Sequence, residues 1–68
     1  MKYKNLLAEM GRNRYDKKTL CEEMNKRGCE IGYYSLCRRF RDEAEFTISE
    51  ALAISEILHT NIEKLFEV

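Results

Sequence analysis

Three cysteines, Cys21, Cys29 and Cys37, and one histidine, His59, are the first candidates for a thiol nucleophile or a soft metal site. The number of cysteines is odd, no two of them form a CxxC pair, and the spacings fit no zinc-ligand pattern. Neither a metal site nor a disulfide framework is therefore expected, and the cysteines read as reduced thiols. A single histidine with no nucleophile–base constellation argues against an enzyme, and nothing calls for a cofactor or a small-molecule ligand. His59 reads as a polar residue at a helix end. A different chemistry is carried by Tyr33, Tyr34, Cys37 and Arg38, together with Lys17, Lys18, Ser35, Arg39 and Arg41. A guanidinium presents parallel donors that match either a guanine edge or a phosphate. A tyrosine can lay its ring on a thymine methyl or reach a phosphate with its hydroxyl.

Charge distribution points the same way. The 68 residues hold 12 basic and 12 acidic side chains, which is an unpromising balance for a polyanion partner. Yet residues 1–41 carry eleven Lys/Arg against five acids, a net +6, and residues 42–68 carry seven acids against Lys64 alone, a net −6. If the two halves do not interleave in space, the chain has a basic pole that attracts phosphate and an acidic pole that repels it. No apolar run approaches a membrane span and no signal peptide is evident, so a soluble, cytoplasmic protein is expected, without a membrane partner.

The elements that must position these residues are helices. The chain has no proline, only Gly11, Gly28 and Gly32, and no alternating β-branched stretch. A chain of 68 residues makes one domain, 1–68, with a thin core. Helical periodicity predicts an all-α, compact five-helix domain with helices over about 2–12, 16–27, 32–41, 47–58 and 60–66. Tyr3, Leu6, Leu7 and Met10 make the apolar stripe of the first helix, and Asn13 is the candidate left-handed cap at its end. Asp16 is the N-cap of the second, with Tyr15 and Leu20 placed as a hydrophobic staple. Leu20, Cys21 and Met24 face inward, Gly28 stops the helix, and Ile31 plugs the core from the turn. Leu36 and Phe40 are the inward pair of the third helix. Thr47 with Glu50, and Thr60 with Glu63, read as capping boxes. Ile48, Ala51, Leu52, Ser55 and Leu58 form one face of the fourth helix. Ile54 and Ile57 widen its apolar surface beyond one stripe, and Ile62, Leu65 and Phe66 are the apolar residues of the fifth.

The segment from Asp16 through Leu20-Cys21 and Met24, then Ile31-Gly32 and Ser35-Leu36 to Phe40, resembles the helix-turn-helix of the Cro/repressor (Xre-like) family of phage and bacterial regulators. Leu20-Cys21 matches that family's Leu-Ala pair, Ile31-Gly32 its Ile-Ser turn, and Ser35-Leu36 its small-aliphatic pair. Phe46 to Leu52 and Asn61 to Phe66 are similar to its last two helices, so the resemblance covers about residues 4–66. One departure is the stretch Asn25 to Glu30, five residues longer than the family's usual turn. It requires either a longer second helix or an excursion of the chain.

The resemblance implies a sequence-specific regulator that binds double-stranded DNA as a homodimer and reads the major groove with its third helix. Base contacts are then expected from Tyr33, Tyr34, Cys37 and Arg38. Phosphate contacts are expected from Lys17, Lys18, Ser35, Arg39 and Arg41. Ile54, Ile57, Phe66 and Val68 are the expected dimer surface. The rival expectation is a protein-interaction module that uses the same fold and its acidic last two helices to bind another regulator. A fragment of a larger assembly is a third.

Overall fold

Five helices follow in order in the computed structural model, which describes residues 3–66: α1 Lys4–Arg12, α2 Lys17–Lys26, α3 Tyr33–Phe40, α4 Ile48–Leu58 and α5 Ile62–Phe66. No strand occurs among the described residues. Each helix contributes a fully buried side chain: Leu6 from α1, Leu20 and Met24 from α2, Leu36 from α3, Ile54 from α4 and Leu65 from α5. These six meet in one core, with α1 against α5, α2 against both α3 and α4, and α4 against α5. Ile31 seals it from the turn, as its isolated apolar position predicts.

The helix ends explain where the chain turns. Asp16 accepts from the Thr19 backbone N–H at 2.7 Å and starts α2. Thr47 and Glu50 form the predicted reciprocal box at the start of α4. At the other ends, four helices close in one way. Gly28 sits at φ +89° after α2, with the Gly28 N–H on the Asn25 carbonyl at 3.1 Å and the Cys29 N–H on the Met24 carbonyl at 2.9 Å. This is a Schellman closure, which requires a left-handed residue. Arg14, Asp42 and His59 hold the same left-handed position after α1, α3 and α4, at φ 62°, 63° and 52°. Tyr15 N–H to Met10, Glu43 N–H to Arg38 and Thr60 N–H to Ser55 complete those three closures, at 2.8, 2.9 and 3.1 Å.

Several expectations need correction. The left-handed residue after α1 is Arg14; Asn13 stays at φ −94° and donates its side-chain amide to the Glu9 carbonyl. Thr60 does not cap α5. Its hydroxyl bonds the Leu58 carbonyl and Glu9, while Asn61 accepts from the Glu63 N–H at 2.9 Å. Phe40 is half-buried rather than enclosed. It joins Tyr3, Phe46 and Phe66 in an edge-to-face cluster with centroids 5.2–6.3 Å apart, which ties the start of α1 to the end of α3 and to α5.

The largest correction concerns α4. Ile54 and Ile57 are 0% and 4% exposed, so they are core and not an outer apolar surface. Ile48 and Leu52, expected inward, are 79% and 50% exposed. Phe66 is half-buried in the aromatic cluster, and Val68 lies outside the described residues. The helix is apolar almost all round, so periodicity alone could not choose which side turns in.

Candidate nucleic-acid interface

The long turn between α2 and α3 is built around Asn25. Its side-chain amide donates to the Cys21 carbonyl at 2.8 Å and the Ile31 carbonyl at 2.9 Å, and its Oδ1 accepts from the Ile31 N–H at 3.4 Å. The Cys21 thiol adds a contact to the same Ile31 carbonyl at 3.3 Å. Both backbone groups of Ile31 are thereby satisfied by α2, which clamps the start of α3 to it. The extra residues are thus accommodated by a helix that runs to Lys26 and a closed turn after it.

This clamp presents the first turn of α3 beside the first turn of α2. Asp16, Lys17, Lys18 and Tyr33 line one shallow groove of about 600 Å³. Tyr33 and Tyr34 are 52% and 71% exposed, while Leu36 beneath them is fully buried. The Tyr33 hydroxyl is pushed above its ordinary value by hydrogen bonding to Cys37, with burial and the Asp16 carboxylate adding to the shift. Lys18 projects into solvent at the N-terminus of α2. Lys17 is half-buried, with its ammonium 5.2 Å from the centroid of the Phe40 ring.

The remaining candidates divide. Arg38 is exposed, and its Nε lies 3.7 Å from Glu43. Arg41 makes a forked contact to the same carboxylate, Nε at 3.0 Å and a terminal nitrogen at 3.4 Å, and its guanidinium lies 5.9 Å from the Tyr34 ring. This contact raises the Arg41 pKa and lowers that of Glu43. Cys37 and Ser35 are half-buried.

Arg39 does not belong to this surface. Its side chain is 19% exposed and turns inward, donating to Glu50 at 2.8 Å and to the Ser35 carbonyl at 3.0 Å. The expectation that Arg39 contacts phosphate is corrected on that ground. Sequence reasoning missed this pair because Arg39 sits in a run of arginines that reads as one basic face.

No family model, curated protein or solved structure matches the chain.

The two halves of the chain also interleave more than their charges alone suggest. Glu43, Glu50 and Glu56 of the acidic half pair with Arg38 and Arg41, Arg39, and Arg27 of the basic half. Lys4, Arg14, Lys17 and Lys18 have no ion pair among the described residues, so the basic field that survives is centred on α1 and the start of α2. No helix there is long and apolar enough to cross a membrane. No cluster of three or more His, Cys, Asp or Glu that could hold a metal occurs among the described residues.

Proposed function

We propose that this chain is a sequence-specific DNA-binding regulator of the Cro/repressor type that its sequence resembles, with α3 entering the major groove. One observation carries the reading. Two adjacent tyrosines stand in solvent on the first turn of a short helix whose opposite face is locked into the core. Large aromatic side chains held outward on a rigid support are open to a partner, and Tyr34 lies one helical turn before Arg38. Beside them lies Lys18, exposed at the start of α2, whose ammonium suits a phosphate. Tyr33, Tyr34, Arg38 and the edge of Cys37 are then the base-reading set. Lys17, Lys18, Ser35 and Arg41 are the phosphate set. The setting is the cytoplasm, where the three thiols stay reduced.

A homodimer fits this reading, because a two-fold operator asks for two copies. Its contact surface is the outer face of α4, Ile48 and Leu52, in place of the buried Ile54 and Ile57. Next to Ile48 lies an apolar groove of about 290 Å³ lined by Tyr3, Phe46, Ala51, Ile62 and Phe66. The same groove is the observation that favours the rival reading, a module that binds another protein.

Selection from a random duplex pool, followed by titration at two salt concentrations, tests the proposal. With two or three phosphates neutralised per monomer, the log–log slope of affinity against salt is roughly −2 to −3. Recovery of a defined site with that slope supports DNA binding. Failure to bind any duplex at low salt leaves the protein-interaction reading.

A further inference from the structure

Glu43 stands where a DNA-reading surface least needs a carboxylate. It is the third residue beyond the end of α3, and its backbone N–H is bonded to the Arg38 carbonyl at 2.9 Å. That closure fixes it next to the two arginines of the face. Oε2 lies 3.0 Å from Arg41 Nε, and Oε1 lies 3.4 Å from a terminal nitrogen of Arg41 and 3.7 Å from Arg38 Nε. Both guanidiniums are about half exposed, so they are held without being buried. A forked guanidinium–carboxylate contact occupies the same donors that a phosphate would take.

We propose that Glu43 is an internal competitor for the DNA backbone: it holds Arg41 firmly and Arg38 loosely, and so lowers the affinity of this surface for DNA of any sequence. The inference rests on the DNA-binding reading above. Its effect is on overall affinity. Phosphate contacts strengthen binding to every sequence alike, so withholding one lowers the affinity for every duplex and leaves the ratio set by base contacts unchanged. The looser contact falls on Arg38, the candidate base reader, which can leave Glu43 when a guanine offers a better acceptor pair.

The test compares Glu43→Gln with Glu45→Gln, a control that makes the same change in net charge at an exposed neighbour. Both are titrated against the selected duplex and against a scrambled duplex. Glu43→Gln is expected to bind both duplexes about tenfold more tightly at 0.1 M salt, and to steepen the salt slope by ~0.9, the value of one added phosphate contact. Glu45→Gln is expected to change neither by more than about twofold. Equal gains in the two variants mean that net charge alone acts, and overturn the proposal. Binding by the parent with no gain in Glu43→Gln overturns it too, but leaves the DNA reading standing. No binding by the parent removes both. In the free protein, the Arg41 Nε–H should exchange slowly with water by NMR and speed up in Glu43→Gln; fast exchange in the parent shows that the clamp does not exist.

Discussion

Arg39 donates its Nε–H to Oε1 of Glu50 at 2.8 Å, and that same oxygen accepts the Thr47 backbone N–H at 2.9 Å. One carboxylate thus closes the capping box of α4 and binds α3 to it. Glu50 is 7% exposed, and its partner covers it. Removing one member of such a pair leaves the other desolvated without compensation. Arg39→Ala should cost about 2–4 kcal/mol in urea unfolding, less than for a fully buried pair because Arg39 keeps some solvent. Full stability combined with weakened DNA binding would return Arg39 to the phosphate set.

Three helices close on a left-handed residue that is not glycine. A side chain in that region carries a cost that glycine avoids, though glycine is more flexible when unfolded. Arg14→Gly should therefore stabilise the fold by about 0.5–1 kcal/mol, raising Tm by roughly 3–6 °C for a domain of this size. Gly28→Ala should do the reverse. A Cβ there meets nothing within 4 Å, so its cost is conformational alone. A fall in Tm for Arg14→Gly would show that the arginine side chain makes a contact worth more than the strain.

Arg38 and Lys18 separate reading from holding. Arg38→Ala should cost about 1–3 kcal/mol of discrimination at a single base position. Lys18→Ala should weaken binding to all duplexes equally. Competition binding with a panel of single-base variants measures both. Equal losses on every sequence for Arg38→Ala would move the reading role to Tyr33 and Tyr34.

The two faces of α4 predict opposite outcomes. Ile54→Asp places a charge in the core and should unfold the protein, a loss above about 4 kcal/mol. Ile48→Asp should leave the circular dichroism and Tm unchanged. In sedimentation it should reduce self-association, if the homodimer uses this face. An unaltered sedimentation profile at a concentration where the parent is dimeric removes Ile48 from the contact.

Acid should weaken the start of α2. The Thr19 backbone N–H and hydroxyl hold the Asp16 carboxyl below its ordinary value of 3.8. A carboxyl depressed in the folded state contributes stability above its unfolded pKa, and that contribution is lost as pH falls through the folded value. Melts below about pH 4 should show the parent losing stability that Asp16→Asn does not, since an amide oxygen still caps the helix when protons are added. Parallel curves for the two proteins would mean that other carboxylates govern the acid limb.

What could be learned from the residues in order was whatever depends on near neighbours. The caps at Asp16 and Thr47, the stop at Gly28 and the inward stripe of Tyr3, Leu6, Leu7 and Met10 are local patterns, and the structure agrees with them, with Leu7 half-buried at the edge of the core. The all-α class follows from the same local periodicity. Three other features required the tertiary structure. In α4, apolar residues occur on nearly every side, so only packing against α2 and α5 could bury Ile54 and Ile57 and leave Ile48 and Leu52 outside. Arg14 carries no signal of a left-handed closure, and Asp42 and His59, of types that enter that region more readily than most, carry a weak one, so the fold decides where each helix closes. Arg38, Arg39 and Arg41 look alike as a basic run, yet they face different environments. The helical turn swings Arg39 toward Glu50, eleven residues away, and leaves Arg38 and Arg41 beside Glu43. A charge's role depends on which counter-charge the folded chain brings within a few ångströms, and spacing along the chain does not encode that distance.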